Sequence, residues 1–376
     1  MHYFITSSKT SYITENSPSH IKQYKDSVTK NYGGDEILEL RKEFVNSYST
    51  SSHNTSRVLM KFDYSDISSS IVNGYITNPK YFLRLYEVEG QKEIDNSYTV
   101  KAYPLSQSWE QGTGKKYDDP KVKLGVTWTD YDSGSSWPMS LGVNADTGSR
   151  IAGGGVWMTG SGYEASQSFD NESADINMDV TDIINNHLGG SNQIDNNGII
   201  LKFNETTEDD TTSHNLKFFS KQTHTIYQPK LEVKWDDSSY PNPMATTLTY
   251  ITMSGEIKNH IFIKGLQETY RESEKVRFRV GCRREFVQKT FTESVLTSSF
   301  FIPKGSGSYS MIDINTNTDI IPFSNYTTMS ADANSMYFDQ WLNTFEPGRF
   351  YKVLFKLKYD DGQEVIIDNN EEFKII

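Results

Sequence analysis

Between Asp179 and Trp235 the apolar positions recur first at helical spacing and then in strict alternation. Val180, Ile183, Ile184 and Leu188 follow Asp179, which can cap a first turn, and Gly189-Gly190 supplies a left-handed stop. A short helix is predicted there. Ile199, Leu201 and Phe203 then alternate with Ile200, Lys202 and Asn204, LKFF follows, and Leu231, Val233 and Trp235 alternate with Glu232, Lys234 and Asp236. This is the period of three strands with one face buried.

Upstream, RVLMKF places Val58, Met60 and Phe62 on one face, and YFLRLYEVE does the same for Tyr81, Leu83 and Leu85. YTVKAYPL, from Tyr98 to Leu105, is another strand, ending at a proline that donates no ladder hydrogen bond. A long irregular region then runs from Ser106 to Asn177 and holds Trp109, Trp128, Trp137 and Trp157 among glycines, serines and aspartates. Each tryptophan suits a plug at the end of a core. As a group on loops they suggest a contact surface, and short strands are expected around them.

SSYPNP, residues 238–243, separates this block from a second alternating one and reads as a linker between a domain at 1–237 and a domain at 244–376. In the second block VRFRV from Val276 alternates strictly, and YKVLFKLKY and EVIID are joined by the hairpin signal Asp360-Asp361-Gly362. Phe345, Pro347 and Tyr351 stand just before a strand in the spacing of a tyrosine corner, where a hydroxyl folds back onto backbone a few residues upstream. Phe338, Trp341, Leu342 and Phe345 fall at helical spacing, so a short helix is expected before that corner.

The charge narrows the partners. With 376 residues and a formal net charge of -12, the chain lacks the cationic balance of a duplex binder, and no nucleic-acid partner is expected. No segment approaches the roughly 20 apolar residues of a membrane helix, and no leader-like basic and apolar run opens the sequence, so no membrane partner is expected either. Cys282, the single cysteine, rules out an intrachain disulfide; it lies between arginines that would activate a thiol, and in a strand-end setting that would bury it.

Catalytic signatures are missing from the text. Gly153-Gly154-Gly155 lacks the Lys-Ser or Lys-Thr of a phosphate loop, the seven histidines show no metal-enzyme spacing, and no nucleophile elbow occurs. Asp130 and Asp132 begin like a calcium loop, but Leu141 stands where the bidentate Glu belongs, leaving a solvated turn as the stronger reading over Ca2+. No pair of carboxylates stands out as a glycosidase pair. A protein that is not an enzyme is expected.

KTSYIT, NYGGDEILEL, RVLMKFDYSDI and the stretch from Asp179 to Trp235 together resemble the DNRLRE family, a β-sandwich module similar to carbohydrate-binding jelly rolls. The resemblance covers roughly residues 5–237, with insertions near Glu15 to Lys30 and Gly112 to Ser173. The second block resembles immunoglobulin-like and fibronectin type III domains. Together they imply an all-β chain, a jelly-roll-like sandwich with a short helix followed by an Ig-like sandwich, as in structural proteins of tailed bacteriophage virions. By that analogy the chain is expected in the virion as a neck, tail or ring component, with other virion proteins and copies of itself as partners. The alternative is a glycan-binding module or adhesin that stacks Trp109, Trp128, Trp137 or Trp157 on host surface glycans.

Overall fold

The computed structural model describes residues 1–15, 27–47, 50–88, 97–138, 144–146, 153–170, 175–190, 192–241, 249–254, 258–286 and 300–376. Asn242 and Pro243 of the expected linker and Leu141 of the calcium-loop register lie outside these. The chain forms two compact units, a larger one of Ile5–Val72 and Lys80–Glu232 and a smaller one of Met1–Phe4, Asn73–Pro79 and Val233–Ile376. Both are β-sandwiches, so the chain is all-β.

The larger unit is built from β1 (His2–Thr14), β2 (Ile37–Ser47), β3 (Thr50–Phe62), β4 (Lys80–Leu85), β5 (Tyr98–Pro104), the short pieces β6 (Asp130–Asp132), β7 (Ser135–Ser136) and β8 (Asn144–Asp146), then β9 (Gly153–Trp157), β10 (Ala165–Phe169), β11 (Ile176–Asp179), β12 (Ile199–Phe203), β13 (His214–Phe219) and β14 (Lys230–Lys234). Helices α1 (Ser65–Val72), α2 (Thr181–His187) and α3 (Glu205–Asp209) join them. The main sheet runs β10-β5-β12-β3-β1-β14-β4-β11, with β2 pairing β3 and β13 pairing β2. It nearly closes on itself. The Gln167 side chain on β10 donates to the Asp175 carbonyl (3.2 Å) and accepts from the Asn177 amide (2.8 Å), so one amide side chain serves both kinds of group along β11. Covering a free edge in this way satisfies donors that would otherwise template another strand.

α2 forms where the apolar spacing places it. Val180, Ile183 and Ile184 are buried, the Asp179 carboxylate accepts from the Thr181 amide (2.9 Å), and Gly189 turns the chain away at φ 104°. On its last turn His187 is buried against Tyr64, with Nδ1 3.4 Å from the phenol oxygen and the two rings stacked. Burial, reinforced by Lys61, pushes the imidazole down to about 4.

The smaller unit packs two sheets. One has the order β15 (Asn259–Lys264), β17 (Lys275–Arg284), β21 (Met336–Trp341), β20 (Ser330–Ala331); the other has β16 (Thr269–Tyr270), β23 (Glu364–Ile375), β22 (Phe350–Lys358), β18 (Gly307–Asp313), β19 (Thr318–Ile321). β16 runs parallel to β23 and every other pairing between these strands is antiparallel, the arrangement of an Ig-like sandwich. Phe338 binds the sheets together: its ring stacks on Tyr309 of the facing sheet at 4.0 Å and on Phe278 of its own at 5.0 Å. Such contacts supply stabilisation beyond the area buried.

The helix expected before the corner is instead strand β21 followed by a 3-10 turn over Leu342–Thr344. Met336, Phe338 and Gln340 alternate inward, and the ladder to β17 satisfies the backbone. Period 2 won over period 3.6 because a partner strand was present. The corner follows directly: the Tyr351 hydroxyl accepts from the Glu346 amide (2.7 Å) and donates to the Glu346 carbonyl (3.2 Å), with the Phe345 ring edge-on at 4.6 Å.

Replacing Tyr351 with Phe removes both bonds from a buried site, and a stability loss of about 1–3 kcal/mol is expected in denaturant titration. An unchanged midpoint would show that the corner is decorative. For His187 the folded value lies below the ordinary one, so above pH 6.5 neither state is protonated there, and between 6.5 and 4 the unfolded chain takes up a proton that the fold refuses. Stability should fall across that window by on the order of 3 kcal/mol. The His187→Asn variant retains a group able to bond Tyr64 but does not titrate; its acid slope should be shallower, and an identical slope would exclude His187 as the cause.

Candidate functional site

The described residues of the long segment after β5 cover the outer face of the main sheet. In the β-ladder Leu59 pairs with Ile200, Ile200 with Tyr103 and Ile13 with Arg57, so these side chains share one face. That face, expected to meet solvent, is buried: Ile13, Leu59, Tyr103, Leu105 and Ile200 form one apolar cluster with Trp109, Trp128, Trp137 and Trp157 of the Ser106–Asn177 region. The strands β3 and β12 are therefore covered on both sides.

Asn31 holds the insertion in place. Its Nδ2 donates to the carbonyls of Gln111 and Val126, both at 2.8 Å, and its Oδ1 accepts from the amides of Gly33 (3.1 Å) and Gly114 (2.9 Å). One buried amide thus joins three segments of backbone. Gly33 has to be glycine because a Cβ there would lie 1.9 Å from the Gln111 carbonyl oxygen. The NYGGD segment is accordingly a clamp for the insertion.

Two cations lie on the covered face. Arg57 is fully buried, its guanidinium 5.1 Å from the Trp128 ring centre and 5.0 Å from that of Trp157. It donates to both carboxylate oxygens of Glu208 (3.2 and 2.7 Å) and to the Gly154 carbonyl (2.8 Å). Gly154 permits this approach, since a Cβ would come 2.7 Å from the guanidinium and 2.8 Å from the Trp128 ring. Lys202 also lies over the Trp157 ring (5.3 Å) and reaches Glu208 and Glu205, each at 3.2 Å. Both acids come from α3, which begins immediately after β12 and is capped by Asn204, whose side chain accepts from the Thr207 amide at 2.8 Å. At Glu205, partial burial opposes ionisation, yet Lys202 and Lys101 outweigh it and hold the carboxyl down at about 2. Chemically, Arg57, Lys202 and Glu208 form a buried ionic set under the rings, and the more exposed Glu205 links Lys202 to Lys101 at its edge.

The expected contact surface is corrected here. Trp109, Trp128, Trp137 and Trp157 are buried, at most 4% exposed, so no sugar can stack on them in this state. Trp109 Nε1 donates to the Asn197 carbonyl (2.9 Å) and Trp137 Nε1 to the Thr127 carbonyl (3.1 Å), which fixes loop backbone. The clustering of aromatic rings signalled a cover layer. Asp130 and Asp132 lie on β6, just before the turn of the β6–β7 ribbon; Asp130 accepts from Ser136 and Thr129 hydroxyls, and Asp132 from the Ser133 amide. Among the described residues no group of three or more His, Cys, Asp or Glu side chains could hold a metal ion. Cys282 is buried, and burial pushes its thiol up to about 12, the inert setting despite the nearby arginines. Among the described residues no helix is long and apolar enough to cross a membrane.

Open space exists elsewhere on the larger unit. A groove of about 410 Å³ is lined by Leu105, Ser106, Met158 and the loop residues Gln193, Ile194, Asp195 and Asn197. Its backbone is anchored by the Trp109 bond to Asn197 and by Asn196, which donates to the Phe62 carbonyl (2.8 Å). Arg57, Lys202, Glu205, Glu208 and this groove escaped the sequence reading. The one available signal was charge inside two apolar strands, Arg57 and Lys61 in RVLMKF and Lys202 in IILKF, with acids following the second.

Comparison with protein-family models gives no match, and comparison with curated proteins gives none either.

Glu208→Gln leaves Arg57 and Lys202 buried with a missing counter-charge, so the variant should lose about 3–5 kcal/mol of stability. Equilibrium unfolding monitored by tryptophan fluorescence reads this directly, because Trp128 and Trp157 report on the same layer. A loss under about 1 kcal/mol would mean that the acid is dispensable.

Proposed function

We propose that the chain is a structural component of a tailed bacteriophage virion, a neck, tail or ring part that acts as an assembly and adaptor module. The observation that carries this reading is the closed Arg57–Glu208–Lys202 set beneath Trp128 and Trp157: the larger unit's strongest polar groups face one another and stiffen a scaffold. A second sandwich with a tyrosine corner continues the same design, and two rigid modules in one chain suit a part that sets spacing between neighbours. The link from architecture to virion is analogy of fold. Copies arranged around an axis would turn modest contacts into a stable ring.

A second reading, a glycan-binding module on a cell surface or tail, draws on the groove beside Asp195. Gln193, Asp195 and Asn197 offer the amides and carboxylate that bond sugar hydroxyls, with Leu105 and Met158 in the same lining.

Mass spectrometry of purified particles should find the chain at a copy number matching a symmetric ring, and its gene should lie among portal, capsid and tail genes. A gene set among secretion or carbohydrate-use genes, with no chain in particles, would refute the virion reading. Specific signal on a glycan array that is lost in Asp195→Ala and Asn197→Ala would favour the second.

A further inference from the structure

The groove at Leu105 takes its lining from separate parts of the larger unit: Leu105 and Ser106 after β5, Met158 after β9, and Gln193, Ile194, Asp195 and Asn197 before β12. Backbone bonds hold each part. The Leu105 amide donates to the Gly198 carbonyl (2.9 Å), Ser106 to Val156 (3.1 Å) and Met158 to Pro104 (3.1 Å), while Ile194 donates to Asn186 (3.1 Å) and Trp109 Nε1 fixes the Asn197 carbonyl (2.9 Å). Neighbouring amide side chains are spent in the same way. Asn186 Nδ2 donates to the Gly162 carbonyl (2.9 Å) and Asn196 Nδ2 to that of Phe62 (2.8 Å).

The lining is the exception. Among the described residues, the side chains of Ser106, Gln193, Asp195 and Asn197 find no hydrogen-bond or ion-pair partner within the protein. A hydroxyl, two amides and a carboxylate are therefore free to bond a ligand, on backbone that needs no further ordering, which lowers the entropic cost of binding.

The chemistry of these groups selects the ligand. The hydroxyl and the two amides both donate and accept, as sugar hydroxyls do, and Leu105, Ile194 and Met158 supply carbon surface for the C–H faces of a ring. Asp195 is the one charged group among the described lining residues. A sulfated, phosphorylated or uronic acid ligand would meet its own sign of charge there, whereas an ammonium group would gain a charge-assisted bond. The groove's 410 Å³ is near the lower end of the roughly 300–1,000 Å³ usual for ligand sites, which suits a short saccharide.

We propose that this groove binds a saccharide bearing a free amino group, with Asp195 pairing the ammonium and Ser106, Gln193 and Asn197 bonding hydroxyls, an inference that rests on the glycan-binding reading above.

Isothermal titration calorimetry on the full chain, at mildly acidic pH, compares a glucosamine oligosaccharide with its N-acetylated counterpart and with a uronic acid oligosaccharide of equal length. The free-amine form should bind about fivefold more tightly than the acetylated form, and the uronic acid form more weakly than either. Asp195→Asn should make the first two equal by weakening the free-amine form, and Gln193→Ala/Asn197→Ala should weaken both. Asp170→Asn removes the same charge beyond the Tyr98 end of β5, whereas the groove lies at its Pro104 end, and this control should keep the preference. Circular dichroism checks that each variant is folded. Saccharide binding without a preference for the amine, a preference that survives Asp195→Asn, or one lost equally in Asp170→Asn would overturn the amine assignment and leave the glycan-binding reading standing. Binding of none of the three, or binding untouched by every groove variant, would sink both.

Discussion

The larger unit depends on covering Arg57 and Lys202. Both lie on the sheet face that the insertion covers, and removing an ion from water costs several kcal/mol unless its charge is matched and its donors are satisfied. Glu208 answers both cations at once, Glu205 adds a second carboxylate to Lys202, and the Trp128 and Trp157 rings accept the faces of the cations that no oxygen reaches. Without α3, the insertion could not close over that face at a tolerable energy. Without the insertion, the charges would be wet and the acids would contribute little. Cover layer and ion set therefore require each other, which makes this region cooperative.

The same requirement explains the clamp at Asn31. An irregular segment laid over a sheet carries many amides and carbonyls that no ladder pairs, and each one buried alone destabilises the fold. Asn31 serves two carbonyls and two amides, and the indole N–H groups of Trp109 and Trp137 serve two more carbonyls. Trp137 thus brings apolar area to the sheet while bonding the segment that carries it, and Trp109 ties its segment to the loop at Asn197. Their burial is the consequence of a polar need as much as an apolar one.

Much of the fold was legible because it is local. The helix at Thr181–His187, the strands at Ile199–Phe203 and Lys230–Lys234, the hairpin at Asp360-Asp361-Gly362 and the hydroxyl of Tyr351 all follow from spacing within a few residues. What was misread depends on partners remote in the chain. Alternation along β12 marks two faces but cannot say that Trp109, Val126, Trp128, Trp137 and Trp157 return to cover the second. The segment around Phe338 fits both periods, and β17, some 60 residues earlier, decides between them. Arg57 and Glu208 are separated by 151 positions, so no local pattern could announce them as a pair.

Cations over aromatic rings occur in both units, and burial decides what each arrangement can do. Around Arg57 water is excluded, the charge is consumed by Glu208, and the contact serves stability alone. Around Tyr337 the guanidinium of Arg277 is about half exposed, and its bond to Asp339 lies near solvent, where such a pair contributes little to folding. A solvated cation held rigid by a ring keeps its field and has little conformational freedom left to lose. The same pairing of cation, ring and carboxylate therefore contributes little where water reaches it and much where the Trp128 and Trp157 layer keeps water out.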